Sequence, residues 1–344
     1  MNESKRYAIW NNKGGVGKTT LTYLLATEYA IENKSENVVV IDMCPQVNIS
    51  EMLLGGNGKG ETNLDSLYNS DINIASYIKS RYDRSRFSKL GSESGYFIKV
   101  VKYNDAMPEN IYLLPGHNDL DLCGGLINYL ASAPEKKAWG HSRKILIDLI
   151  TSYEEANKNK QNTFFIDCNP SFASYTELAI LGSNRLIIPC TADAASIRGL
   201  RNIFKVVYGK SMDNDDNPFT QFFSSCENVG FDLPKIHSVI QNKSRSHEKD
   251  PSSAFRANMD ELIQVVNEYH KEYPSIFLSE KEVLNVKDGN TIAAVLNHLG
   301  IPLSKLAAKK YNIYRGTTKF DEKHVDEKQK NVLLKDLSEV LSIL

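Results

Sequence analysis

"WNNKGGVGKTT", Trp10 to Thr20, packs three glycines and two lysines into the six residues from Lys13 to Lys18. Upstream, "RYAIW" (Arg6 to Trp10) is a short apolar run that reads as a buried strand. Downstream, "TTLTYLLATEYAIEN" places Leu21, Leu24, Leu25, Glu28 and Ile31 near one helical stripe, four of them apolar. "VVVID", Val38 to Asp42, is again apolar and β-branched. Strand, glycine turn, helix and strand make a βαβ unit. The expected fold is α/β: a doubly wound, mostly parallel sheet flanked by helices.

The glycines have a mechanism in that setting. Without Cβ atoms, the backbone at Gly14, Gly15 and Gly17 can curl and aim its N–H groups at an anion. The helix that follows adds its positive end. Gly14 to Thr20, with Val16 between the glycines, thus supply a nucleotide site. Lys18 can reach the β- and γ-phosphates of a nucleotide, and the Thr19 hydroxyl can ligate Mg²⁺. A glycine-rich hinge would leave the GKT, the strand and the helix unexplained together.

The simple P-loop pattern GxxxxGK[ST] fails, because Asn12 stands at its first glycine. "KGGVGKTT" instead resembles the deviant Walker A motif of the ParA/MinD/Soj family, the SIMIBI-class P-loop ATPases. The resemblance implies ATP and Mg²⁺ as cofactors and ATP hydrolysis as the activity. It also implies that Lys13 crosses a dimer interface to the partner copy's ATP. A cation supplied in trans stabilises charge on the transferring phosphoryl group, as an arginine finger does.

Other segments extend the resemblance from about Tyr7 to Asn242. "VVVIDMCPQVNIS" resembles the family's D-x-D-P-Q-x-N switch. Asp42, at a strand's carboxyl end, would hold Mg²⁺-bound water, and Pro45, Gln46 and Asn48 match. The second aspartate is replaced by Cys44. A thiol, with a reference pKa of about 8.5, is a poor substitute for a carboxylate. Hydrolysis is therefore expected to be slow or partner-dependent, while nucleotide binding survives. "NTFFIDCNPSF" resembles the Walker B pattern D-x-P-P-S, with Asp167 facing Mg²⁺ and Asn169 at the first proline position. "NIYLLPGHNDL" and "RLIIPCTADAASIRGLRNIF" resemble further strand-and-turn segments. Asn242, ending "IHSVIQN", corresponds to an asparagine that reads the adenine edge. The resemblance thus makes Lys13, Lys18, Asp42 and Asp167 the catalytic set, and Thr19, Asp42 and Asp167 the metal set.

Composition limits the alternatives. The 344 residues include 41% hydrophobic and 24% charged side chains with a net charge of −1, so only a local basic patch could bind nucleic acid. Candidates are Arg198, Arg201, Arg245, Lys309, Lys310, Arg315 and Lys319. The five cysteines form no CxxC, which argues against a disulfide framework, a zinc site or cluster delivery. "MNESKRYAIW" has no signal-type apolar stretch, and no run nears the roughly 18 apolar residues of a membrane span. A cytoplasmic setting is expected, nucleoid-associated if DNA is bound.

Residues 1–250 are expected to form the ATPase core, with an edge insertion near 79–109. Its "KSRYDRSRFSK" is basic with interleaved aromatics and reads first as a solvated surface element. Residues 251–344 are expected to wrap the sheet as helices. The last helix carries Leu333, Leu337, Val340, Leu341 and Leu344 on one face, and core or dimer packing suits it better than a membrane surface. The function expected by resemblance is a ParA-like ATPase acting in DNA partition or cargo positioning. It would be a homodimer with ATP, bind DNA non-specifically and answer to a ParB-like or other adaptor. The alternatives are a MinD-like membrane-positioning switch and a synthetase of the dethiobiotin type.

Overall fold

The computed structural model describes residues 3–84, 91, 93–135, 137–212, 221–244, 253–278, 283–316 and 318–344. In chain order the elements are β1 (Lys5–Ile9), α1 (Lys18–Glu32), β2 (Asn37–Met43), α2 (Asn48–Leu53), α3 (Lys59–Tyr68), α4 (Ile74–Arg84), β3 (Ile98–Lys99) and β4 (Ile111–Leu114). Then come α5 (Leu120–Ala131), α6 (Ala138–Arg143), α7 (Ile145–Ala156), β5 (Asn162–Cys168), α8 (Ser174–Gly182), β6 (Arg185–Cys190), α9 (Ala194–Tyr208), α10 (Gln221–Val229) and β7 (Lys235–Ser244). The chain continues with α11 (Ser253–Glu272), β8 (Val283–Lys287), α12 (Asn290–Leu299), β9 (Lys310–Arg315), β10 (Thr318–His324) and α13 (Glu327–Leu341).

An eight-stranded sheet runs β3-β4-β2-β5-β1-β6-β7-β8, parallel throughout except for the β3–β4 edge pair. The apolar runs follow from that burial. Every residue of β2 and β5 is buried, so neither strand can show a polar face. Alternation along β2 then splits the core in two. Val38 and Val40 face α1 and the C-terminal helices, together with Tyr7, Ile9 and Phe165. Val39 and Ile41 face the opposite layer, together with Trp10, Phe164 and Ile166. Because the strands are parallel, the carboxyl ends of β1, β2 and β5 lie along one edge. Open α/β sheets bind their ligands at such an edge.

The C-terminal part is not only helical. β8 pairs with β7 and carries the sheet past residue 250, and β9 and β10 form a separate antiparallel hairpin. The sequence led instead to the expectation that residues 251–344 wrap the sheet as helices. In α13 the expected apolar face (Leu333, Leu337, Val340, Leu341 and, just beyond, Leu344) is buried. The Tyr7 hydroxyl donates to Leu344 O at 2.6 Å, stitching this end to β1. Among the described residues no helix is long and apolar enough to cross a membrane.

The edge segment near 79–109 holds the end of α4 and the antiparallel β3; residues 85–90 of its basic stretch lie outside the described residues. Arg81 departs from the surface reading. Its side chain is 1% exposed, with Nη1 donating to Tyr77 Oη at 2.7 Å and Nη2 to Asp148 Oδ2 at 2.9 Å. A buried guanidinium has to be paired, so Arg81 is core structure.

Candidate nucleotide site

The loop from Trp10 to Gly17 is fastened at its start. Trp10 Nε1 donates to Asn169 O at 3.0 Å, and Asn11 Nδ2 donates to Pro189 O at 2.8 Å. Asn11 Oδ1 accepts from Lys13 N at 2.9 Å, which bends the chain back. Gly15 and Gly17 have φ of 74° and 84°, where a side chain is disfavoured. A Cβ on Gly14 or Gly15 would meet nothing within 4 Å, so this stretch of the loop borders open space. Val16 is fully buried and anchors the arch.

The two lysines point to different places. Lys18 is 7% exposed, and its Nζ donates to Asn11 O at 3.0 Å and to Lys13 O at 2.9 Å, at the centre of the arch. Burial lowers its pKa, against the pull of Asp167. Lys13 turns outward to the start of α9. Its Nζ donates to Asp193 Oδ2 at 2.5 Å, to Thr191 Oγ1 at 2.9 Å and to Ser196 Oγ at 3.3 Å. Asp193 also caps α9 by accepting from Ser196 N at 2.9 Å. Burial opposes ionisation of Asp193, but Lys13 and the other donors outweigh it and its pKa is lowered.

Asp42 and Asp167 are direct register partners on β2 and β5, both fully buried. Thr19 Oγ1 donates to Asp167 Oδ2 at 2.8 Å. Asp42 accepts from Cys44 N at 3.0 Å, Ser50 N at 3.3 Å and Ser50 Oγ at 2.6 Å. Both carboxyls have raised pKa values, above all from burial; the charge of Asp42 adds to the rise at Asp167. Two buried carboxylates and a hydroxyl beside an open anion cradle form the oxygen-donor set that suits Mg²⁺ with a phosphate ligand. The donors therefore fit a magnesium nucleotide.

Cys44 is 6% exposed, with Sγ 3.9 Å from Asn169 Oδ1. Burial first, then the charges of Asp42 and Asp167, push its thiol up to about 12, so it is neutral at pH 7.

Thr20 and Asn242 line a cavity beside the arch, together with residues 287–290. Asn242 Nδ2 donates to Val16 O at 2.9 Å, so its amide braces the loop as well as facing the cavity. The structure thus gathers every sequence-identified site residue, from Lys13 to Thr20 with Asp42, Asp167 and Asn242, along one edge. Sequence reading missed Thr191, Asp193 and Ser196, although "DAAS" carries an N-cap pattern. It also missed Ser50, Gly116 and residues 287–290. A Cβ at Gly116 would sit 2.7 Å from Asp42 Cγ, so the β4 turn presses on that carboxylate.

The basic candidates are dispersed. Arg198 and Arg201 are exposed on α9, with Arg201 3.6 Å from Glu261. Lys310 and Lys319 both reach Glu322 at 3.2 Å, and Lys309 is exposed beside them. Arg245 and the side chain of Arg315 lie outside the described residues.

A phosphate-cradling loop, paired strand-end carboxylates and a parallel sheet of this order define a P-loop ATPase fold of the deviant Walker A type. The family described as AAA domain, AAA_31, matches residues 4–217. The chain belongs to that family, of ParA/MinD-type P-loop ATPases. A relative from Methanocaldococcus jannaschii, the uncharacterized protein MJECL24, is 28% identical over 203 residues, spanning 58% of this chain and 64% of its own length. Among solved structures, a Cyanothece McdA variant in complex with ATP aligns with a TM-score of 0.56 and 18% identity, over 100% of this chain and 98% of that one. A candidate plasmid partition protein of Borrelia burgdorferi B31 bound to AMPPNP aligns at 0.50 and 18%, over 98% of this chain and 100% of that one. These likenesses establish a shared fold.

Proposed function

We propose that this chain is a ParA-like ATPase. It binds ATP and Mg²⁺, pairs with a second copy across the nucleotide, and hydrolyses slowly unless an adaptor of the ParB kind speeds it. The observation that carries this reading is the division of labour between the two lysines. Lys18 is committed to the centre of its own arch, whereas Lys13, partly buried, is held outward by a carboxylate and two hydroxyls. An ammonium that its own loop does not use could, once released from α9, serve the phosphates of a facing copy.

The backbone from Gly14 to Thr20, Val16 included, cradles the phosphates, and Lys18 meets their negative charge. Thr19, Asp42 and Asp167 would hold Mg²⁺, which would supply positive charge against the phosphates. Asn242 and residues 287–290 receive the adenine. The neutral Cys44 thiol accepts no proton from water, which makes unassisted turnover slow.

Non-specific DNA binding and cargo positioning complete the reading, in a cytoplasmic, nucleoid-associated setting. Arg198, Arg201, Lys309, Lys310 and Lys319 are the exposed cations to test. Carboxylates offset three of them in the single chain, so the affinity should be modest and fall steeply with salt. A MinD-like membrane role would require α13 to leave the core that buries its apolar face.

Sedimentation velocity with ADP, ATP or AMPPNP, with and without duplex DNA and at two salt concentrations, tests the reading. The expected result is a dimer with the triphosphates alone, and a salt-sensitive DNA shift of that dimer. A dimer that ignores DNA removes the partition role. A monomer under all conditions removes the sandwich.

A further inference from the structure

Asn169 follows β5 by one residue and stands where the D-x-P-P-S pattern has proline. Its side-chain amide is fixed by the groups that its NH₂ end meets. Its Nδ2 donates to Tyr175 Oη at 2.7 Å and to Ser171 Oγ at 2.8 Å. The Tyr175 hydroxyl in turn donates to Asp121 Oδ1 at 2.9 Å. This chain of bonds sets the orientation of the amide. A carboxylate only accepts, so Tyr175 spends its one proton on Asp121 and its oxygen must accept from Asn169. The NH₂ of Asn169 therefore faces Tyr175, and its carbonyl oxygen faces Cys44, whose thiol donates to it weakly at 3.9 Å and leaves a second lone pair for a water. The backbone is pinned too, since Asn169 O accepts from the Trp10 indole at the root of the phosphate loop.

We propose that Asn169 Oδ1 is the acceptor that orients the attacking water in this protein, in place of the carboxylate that Cys44 lacks, with Tyr175 and Asp121 as positioning residues. The proposal deepens the hydrolytic reading above and rests on it. A side-chain amide is suited to the task, as the glutamine that orients water in other P-loop hydrolases shows. In the step itself, the water oxygen bonds to the γ-phosphorus as the bond from phosphorus to the bridging oxygen breaks. ADP leaves with the bonding pair. The water's proton goes to an oxygen of the phosphate product, because an amide carbonyl accepts a hydrogen bond but not the proton. Turnover is slow for that reason, yet not zero.

The test compares two complexes of the full chain with Mg²⁺ and ADP. Fluoroaluminate mimics the transferring phosphoryl group with water in line, and beryllium fluoride mimics the ground state. For Asn169→Ala, and for Asn169→Pro, the fluoroaluminate complex should weaken by roughly 10–100-fold, read from displacement of a fluorescent ADP. The beryllium fluoride complex and ADP alone should stay within about twofold, and kcat should fall while KM holds. Tyr175→Phe should give a partial loss of the same kind. Unchanged fluoroaluminate affinity, or equal weakening of both complexes, would overturn the assignment. If the unmodified chain captures ADP in neither complex, the nucleotide reading itself fails, and this proposal with it.

Discussion

Lys13 cannot serve a facing copy while it is bound to its own α9, so weakening that hold should favour dimerisation. The clean perturbation is Asp193→Asn. Asparagine caps a helix about as well as aspartate, so the bond from Ser196 N survives. The oxygen facing Lys13 becomes an NH₂ group, which cannot accept from an ammonium. Lys13 and Asp193 side chains are 27% and 41% exposed, so their attraction belongs near the upper end of the ~0.2–1 kcal/mol measured for surface pairs, not in the buried range. Each copy must release its own lysine, which makes the cost about 2 kcal/mol per dimer. At ~1.4 kcal/mol per decade, that is roughly a 20–30-fold tighter dimer. The assay is sedimentation velocity over a concentration series with AMPPNP, and with ADP as the reference. Tightening should occur with AMPPNP only. A dissociation constant unchanged within about twofold, or a weaker dimer, would refute the reasoning, because Asp193 would then support Lys13 in its working position.

Three further outcomes can be checked in parallel. Cys44→Asp should raise steady-state phosphate release by about 10²-fold or more, and a fast native rate that the substitution leaves alone would remove the role assigned to position 44. Gly116→Ala should lower the thermal midpoint, since its Cβ would lie 2.7 Å from Asp42 Cγ and overpacking costs ~1–3 kcal/mol; an unshifted midpoint would mean that the β4 turn yields freely. The rise in thermal midpoint given by Mg²⁺ and ADP should grow from about pH 5 to about pH 8. Burial raises the pKa values of Asp42 and Asp167, so above the unfolded carboxylate value of ~3.9 the folded chain holds protons that the unfolded chain has released. Their contribution to apo stability is therefore present at low pH and lost as pH climbs through the raised values. On the proposed reading Mg²⁺ would replace those protons, and a ligand-induced rise that is flat in pH would show that the pair does not hold the metal.

What sequence reading recovered is local. β1, the glycine arch, α1 and β2 follow one another within forty-odd residues, and each announces itself by an apolar run, a turn or a period. Asp42 and Asp167 were legible for the same reason, as the last polar letters of buried strands. The C-terminal part was read less well. β8 is five residues long, with little of its pattern buried. The alternation of Tyr311 and Ile313 before the Gly316 turn was the only strand signal in a stretch dominated by lysine charge. Arg81 looked exposed because its partner Asp148 is 67 residues away, and no window on the sequence joins the two.

The same limit bears on the departures from the family pattern. Read along the chain, Cys44 and Asn169 are two separate substitutions, one of which removes a carboxylate while the other replaces a proline. Folding sets β2 beside β5, with Met43 opposite Cys168, and brings the next residue of each strand face to face, thiol against amide carbonyl at 3.9 Å. They are then one change rather than two. The carboxylate that the pattern places at position 44 is absent, and an amide oxygen that can accept a hydrogen bond stands next to it. A pair like this predicts coupling. Asn169→Ala should cost much less once Cys44 has been changed to Asp, because the restored carboxylate would orient the water by itself. The double-mutant cycle in kcat should therefore be clearly non-additive. Additive losses would mean that the two positions only share an edge of the sheet.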